Sequence, residues 1–337
     1  MAKDNNVRDF FKDLADSIRF KLNETEDKRK IKPIDMANVI KTELTEDNCG
    51  RVASEMVDNT GEGCIIIQRI AMLDGQVRIG GSAFVSLPNL KEVTFAKTVT
   101  SIGEKAFNDC TNLSKVTFSD GILGVGVDAF NNTAWYKSLS DGCIYIGRAL
   151  YKYKGVIPDD IGTNLTIKDD TYSLSPHAFS TQQGLKRITL NEGLYRIDYN
   201  TFSQCTNLSE VILPDSLVYI NKSAFMGCAA LSSMTLPPLI SQIEGGLFEN
   251  CSKLETLMFR GKISSIYALA FAGCKNVTLY DFSANSDVIP DIASDALDSV
   301  LNENCKILVP QGMVYAWKNA NVWKNYSNHI VDSINNN

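Results

Sequence analysis

Phenylalanine recurs on a fixed interval. Phe84, Phe107 and Phe130 stand 23 residues apart, and so do Phe179, Phe202, Phe225, Phe248 and Phe271. Alanine precedes six of the eight: Ala83, Ala106, Ala129, Ala178, Ala224 and Ala270. Five residues before each Phe stands an aliphatic: Ile79, Ile102, Val125, Leu174, Ile197, Ile220, Ile243 or Ile266. Six residues after it come Leu90, Leu113, Leu185, Leu208, Leu231, Leu254 and Val277, and eleven after it Phe95, Phe118, Leu190, Leu213, Leu236, Phe259 and Phe282. A unit this short cannot bury its own hydrophobic face, so it has to stack on copies of itself. The repeat therefore specifies a solenoid.

Each unit offers a strand, as in Leu208-Ser209-Glu210-Val211-Ile212-Leu213, then a turn at Pro214-Asp215-Ser216 and a short extended piece, Leu217 to Ile220. The Ala-Phe segment is expected to close the coil as a compact helical or 3₁₀ turn that fills the interior. Parallel pairing of successive strands at about 4.8 Å would make roughly ten coils a rod on the order of 50 Å long, with one ladder-like sheet face.

The unit resembles the repeat of the bacterial BspA-like leucine-rich repeat family, N-L-x-x-V-x-L-P-x-x-V-x-x-I-x-x-x-A-F-x-x-C. Asn207-Leu208 through Cys228 follows it almost position by position, and the unit starting at Asn112-Leu113 follows it more loosely. The resemblance spans roughly residues 60–330. It implies an α+β repeat solenoid of leucine-rich-repeat-like coils with a parallel strand ladder. In function it implies a binding or adhesion scaffold of the kind found on gut and oral bacteria and in phage structural proteins, without catalysis or cofactor.

Three segments depart from the repeat. Residues 1–50 carry 21 charged side chains, against 51 in the other 287 residues, so the composition breaks near Gly50. Within them Phe10, Phe11, Leu14, Ile18 and Leu22 form the apolar stripe of an amphipathic helix, and Pro33 can start a second, shorter one. Such a stripe is either covered within its own domain or completed by another chain, as an attachment or oligomerisation segment. Residues 131–171 hold variant coils, because the Phe anchor after Phe130 lies 49 residues on. There, alternation on either side of Gly147-Arg148 predicts a β-hairpin. Its Tyr145, Tyr151 and Tyr153 with Lys152 and Lys154 are either part of the coil or an aromatic and basic patch for a partner. Residues 311–337 read as a helical cap, in which Met313, Trp317, Trp323, Tyr326 and Ile330 cover the last open coil.

Composition narrows the chemistry. A net charge of −6 argues against a nucleic-acid partner, and no stretch reaches the 18 apolar residues that membrane insertion needs. The two histidines, His177 and His329, have no metal or triad motif beside them, so no catalytic or metal residue is assigned. Cys110, Cys205, Cys228, Cys251 and Cys274 each stand three residues after their Phe, which predicts a column of buried thiols. Asn112, Asn207 and Asn276, although in Asn-x-Ser/Thr triplets, fall on the repeat and read as turns leading into strands.

A ligand would meet the outward positions of the ladder. Arg187 and Glu210 lie on one such column, and Tyr195, Arg196 and Tyr219 cluster near the interior isoleucines with the residue types of binding hot spots. The patch residues Tyr151 and Tyr153 complete the candidate face.

The N-terminus lacks the apolar core of a signal peptide, which argues against classical secretion. Residues 10–36 also resemble a segment, L-A-D-A-I-R-x-K … I-K-P-x-D-M, at the start of phage and prophage tail or fibre-type proteins. Together these imply a virion structural or accessory protein assembled in the host cytoplasm. Residues 1–50 would then contact other virion proteins or a second copy, and the solenoid would meet a host surface protein or glycan. The alternative is a bacterial BspA-like cell-surface adhesin.

Overall fold

A computed structural model describes residues 69–71, 77–159, 164–297 and 301–333 of the chain. The amphipathic stripe from Phe10 to Leu22 lies outside these residues, as do Cys49 and Cys64. The described residues form a parallel β-solenoid with two ladders per coil, not the single ladder expected. The long ladder includes Glu92–Thr94, Lys115–Thr117, Arg187–Thr189, Glu210–Ile212, Ser233–Leu236 and Thr256–Phe259. The short ladder is built from two-residue strands such as Ser101–Ile102, Arg196–Ile197, Tyr219–Ile220 and Gln242–Ile243. Pairing follows the period, with Arg187 opposite Glu210 and Ile197 opposite Ile220. The apolar residues of the two columns, Val93, Ile188, Met234 and Leu257 on one and Ile102, Ile197 and Ile243 on the other among them, are therefore buried.

The third side, around the Ala-Phe pair, is a turn and not a helix. The N–H groups of Ser82, Phe84 and Ser86 donate to the carbonyls of Glu104, Ala106 and Asn108 in the next coil at 2.7–2.8 Å. Those of Ala83 and Val85 donate back three residues, to Gly80 and Ser82. Ser82 and Ser86 reach this geometry with φ of 56° and 57°, and the same left-handed pair recurs as Lys105 and Asp109, Asn200 and Gln204. A left-handed residue on each side of Phe breaks any helical run. Alternate N–H groups are thereby free to bond the neighbouring coil.

Inside, the Phe rings stack face to face along the axis. Phe84, Phe107 and Phe130 have centroids 5.1 and 5.2 Å apart, and Phe179 through Phe271 continue at 5.4–5.8 Å with rings within 6° of parallel. Each thiol of the cysteine column donates to the carbonyl of the Phe one coil back, Cys205 to Phe179 at 3.0 Å and Cys228 to Phe202 at 3.2 Å. Asn112, Asn207 and Asn276 likewise donate their side-chain amides to carbonyls of the preceding coil at 2.6–2.9 Å.

The predicted hairpin is present as Gly142–Ile146 and Ala149–Lys154, antiparallel. Gly147 turns it with φ 56°, and a Cβ there would sit 2.6 Å from the Ile122 carbonyl oxygen, so only glycine fits. The hairpin divides the core. Ile144, Ile146, Ala149 and Tyr151 pack on the coils before it, while Cys143, Tyr145, Leu150 and Tyr153 pack on those after.

At the C-terminal end, a helix at Val314–Asn319 and a 3₁₀ turn at Trp323–Tyr326 bury Trp317 and Trp323 over Phe282. The cap is not helical throughout. Val322, at φ 63°, redirects the chain, and Ile330–Asp332 joins the long ladder beside Lys306–Val309. With only these short helical pieces and Ala134–Ser138 among the described residues, the architecture is a β-solenoid and the helical share of the α+β expectation is small.

Candidate functional site

The two ladders present different chemistry. On the long ladder, charges of opposite sign face each other in register: Glu92 with Lys115 at 2.5 Å, and Arg187 Nη2 with Glu210 Oε2. All but Glu92 are substantially exposed, and such pairs contribute about 0.2–1 kcal/mol each. They cancel locally, so Arg187 and Glu210 offer a partner a neutralised pair and not a free charge. The next outward column runs Thr94, Thr117, Thr166, Thr189, Ile212, Thr235 and Met258, with Ile212 and Met258 exposed.

The short ladder carries an aromatic row. The Arg148 guanidinium lies 5.5 Å from the Tyr172 ring centre, Tyr172 stacks on Tyr195 at 5.1 Å and 13°, and Tyr195 meets Tyr219 edge-on at 5.4 Å. Tyr219 is 54% exposed and ends the row. Burial, followed by the hydrogen bond with Tyr219, pushes the Tyr195 phenol above its ordinary pKa. Arg196 sits beside the row, its Nε 3.2 Å from Asp198 Oδ2. Asp198 in turn accepts from Asn221 Nδ2 at 3.1 Å, so the guanidinium is anchored at its base. Its far end lies over Gly124, where an added Cβ would come within 2.8 Å of Nη2. The structure thus brings Tyr195, Arg196 and Tyr219 together and adds Arg148, Tyr172 and Asp198. The 23-residue step from Tyr172 to Tyr195 was the available sequence signal for the extension.

Tyr151 and Tyr153 do not belong to that face. Tyr151 is 3% exposed, and its hydroxyl accepts the Phe130 N–H at 3.2 Å, replacing the carbonyl that a regular coil would offer there. Tyr153 is 7% exposed and occupies the Phe slot, 23 residues after Phe130, with its N–H on the Ala178 carbonyl at 2.8 Å. Two more residues of the expected patch, Tyr145 and Lys154, are tied down as well. The Tyr145 hydroxyl accepts from the Lys168 N–H at 3.1 Å, and burial pushes its phenol up to about 12. Lys154 Nζ donates to the carbonyls of Lys137 and Leu139.

The remaining candidate chemistry among the described residues is tied into the fold. Burial pushes the thiols of Cys110 up to about 11 and of Cys205 up to about 12, and those of Cys228 and Cys251 well above the ordinary range, which leaves them protonated and unreactive. His329 bonds the Cys305 carbonyl through Nδ1 at 2.9 Å. Among the described residues no group of three or more His, Cys, Asp or Glu side chains could hold a metal ion. No described helix is long and apolar enough to cross a membrane.

Coils of leucine-rich type, with their chemistry on exposed columns, define a repeat scaffold. The chain belongs to the BspA type leucine-rich repeat family, whose model matches residues 55–155 and 161–278 in six copies. Solved structures similar to it include the following three. The pneumococcal vaccine antigen PcpA is 19% identical, with 82% of this chain and 80% of that one covered at a TM-score of 0.46. A leucine-rich cell surface protein from Faecalibacterium prausnitzii A2-165 is 16% identical, with 64% and 87% covered at 0.38. The T. pallidum leucine-rich repeat protein TpLRR is 24% identical, with 64% and 79% covered at 0.30. No curated protein sequence matches the chain.

Proposed function

We propose that the chain is a non-catalytic adhesin of the bacterial surface, which holds a protein or glycan partner against the short-ladder face of its solenoid. The observation that carries this reading is the row Arg148–Tyr172–Tyr195–Tyr219 with Arg196 beside it. Tyrosine and arginine supply most of the binding energy in interfaces, because they bury large area at low entropic cost and keep a polar end. Here they sit on backbone already fixed by ladder hydrogen bonds, so little ordering remains to be done on binding. Family membership supports the same reading. Residues 1–50, with Phe10, Phe11, Leu14, Ile18 and Leu22, are proposed to provide attachment or self-association.

The virion reading rests on the resemblance of residues 10–36 and on an N-terminus without the apolar core of a signal peptide, and no comparison supports it, so the adhesin reading takes its place. Protease shaving of intact expressing cells, with mass spectrometry of the released peptides, tests the choice. Repeat peptides released from the cell exterior are expected. Their absence there, with the chain at stoichiometric copy number in purified virions, would overturn the adhesin reading.

A further inference from the structure

The variant coil is shorter across its turn than its neighbours. Leu150 pairs with Leu174 in the short ladder, yet Tyr153 follows Leu150 by three residues, whereas Phe179 follows Leu174 by five. Here the chain runs as the extended strand Ala149–Lys154, with two residues fewer between the ladder leucine and the aromatic slot than in the next coil. Beside it lies an open, mostly polar groove of about 430 Å³. Asp128 lines it from the coil before, His177 and Thr181 from the coil after, with Lys152 and Tyr153 from the strand Ala149–Lys154 and Tyr136 from the Ala134–Ser138 helix.

The polar groups of this groove are mixed and balanced. The lining carries one carboxylate, Asp128, and one ammonium, Lys152; at its edge Asp141 lies against Gly155 and Lys154 Nζ lies 5.6 Å from the Tyr136 ring centre. Burial, and then the charge of Lys152, holds the His177 imidazole below its ordinary pKa; its Nε2 accepts from Asn200 Nδ2 at 3.4 Å, which leaves Nδ1–H as a donor. Burial, and then the negative field of Glu104, Asp198 and Asp128, raises the neighbouring Tyr199 phenol, which keeps its proton. There is no surplus of positive charge to select a phosphate, sulfate or carboxylate. There are instead single donors and acceptors at the rim and a half-buried ring at Tyr136.

Vicinal hydroxyls on an otherwise apolar ring face match such a lining, since each hydroxyl both donates and accepts and the C–H face packs on an aromatic ring. We propose that the groove is a binding site for a neutral saccharide unit, with Asp128 accepting from its hydroxyls, Lys152 and His177 donating to them, and the Tyr136 ring packing on its apolar face. The site stands apart from the Tyr195–Arg196–Tyr219 cluster and does not depend on it.

The test uses the full chain on an array of neutral di- to tetrasaccharides ending in galactose, N-acetylglucosamine or N-acetylgalactosamine, beside sialylated and sulfated versions of the same cores. The wild type is expected to retain neutral probes. Asp128→Asn keeps a residue that tolerates the φ of 54° at this position, and it should weaken retention at least about tenfold without shifting the thermal unfolding midpoint. Tyr136→Ala should also weaken retention, with a lower unfolding midpoint because its ring packs edge-on against Tyr151 at 6.1 Å, and Tyr315→Ala, 81% exposed on the cap, should leave retention unchanged. Retention of no neutral probe, retention of acidic probes alone, or retention lost in Tyr219→Ala but kept in Asp128→Asn would each overturn the site.

Discussion

A single side chain here acts through its copies. Phe225 is fully buried between Phe202 and Phe248, with centroids 5.4 and 5.6 Å away, so removing its ring opens a gap that two coils line. Phe225→Ala is expected to cost about 3–5 kcal/mol in chemical denaturation. The thiol beside it belongs to the same column logic. Cys251 donates to the Phe225 carbonyl at 3.2 Å, in the dry interior that raises its pKa. Alkylation of the native chain at mildly alkaline pH, followed by peptide mass spectrometry, should leave Cys110, Cys205, Cys228, Cys251 and Cys274 unmodified. Modification of the column before unfolding would contradict their burial. These positions were legible in the sequence because each is repeated, and burial leaves little choice of residue. Tyr172 was harder to see, since its partner Tyr195 is a neighbour only once the coils are stacked.

At the scale of elements, the hairpin shows how a break in a repeat can be built from the repeat's own slots. Tyr153 takes the Phe position, and the Tyr151 hydroxyl takes the place of a missing carbonyl. The two hydroxyls therefore differ in weight. Tyr151→Phe leaves the buried Phe130 N–H without its acceptor and should cost about 1–3 kcal/mol. Tyr153→Phe keeps the ring and the backbone bond, and should change stability by less than about 0.5 kcal/mol. Equal effects in thermal denaturation would refute the assignment. Alternation around Gly147-Arg148 was enough to foresee the strands. It could not separate a patch from a partition, because alternation fixes only that two faces exist, and here both faces are buried by the coils on either side. The two-residue strands of the short ladder were too brief to show a period, which is why one ladder was expected where two exist. The left-handed residues that flank each Phe escaped notice because their identities vary, Ser82, Lys105, Asp128 and Asn200 among them, while their backbone does not.

The whole molecule depends on closing the stack. Trp317 and Trp323, 4.8 Å apart and buried, cover the last coil, and Trp323 Nε1 donates to the Pro290 carbonyl at 2.8 Å. Trp317→Ala is expected to destabilise the chain by about 3–5 kcal/mol and to shift it toward aggregates in size-exclusion chromatography, since the exposed coil would offer apolar surface and an open ladder edge. A monomer of unchanged stability would show that the cap is dispensable. The solenoid and its period were plain from the sequence, but the face on which ligand chemistry gathers was only half visible. Tyr195, Arg196 and Tyr219 stood close in repeat position, whereas the reach of Arg196 over Gly124 depends on the packing of coils around the hairpin. The central claim is that this rigid aromatic and arginine row is the adhesive surface. Its most direct measurement is the adhesion of beads coated with the full chain to cultured oral or intestinal epithelium, wild type against the double variant Arg196→Ala, Tyr219→Ala. Adhesion by the wild type that falls at least about tenfold in an equally stable double variant is the predicted result. Equal adhesion by the two proteins, or none by the wild type, would contradict the claim.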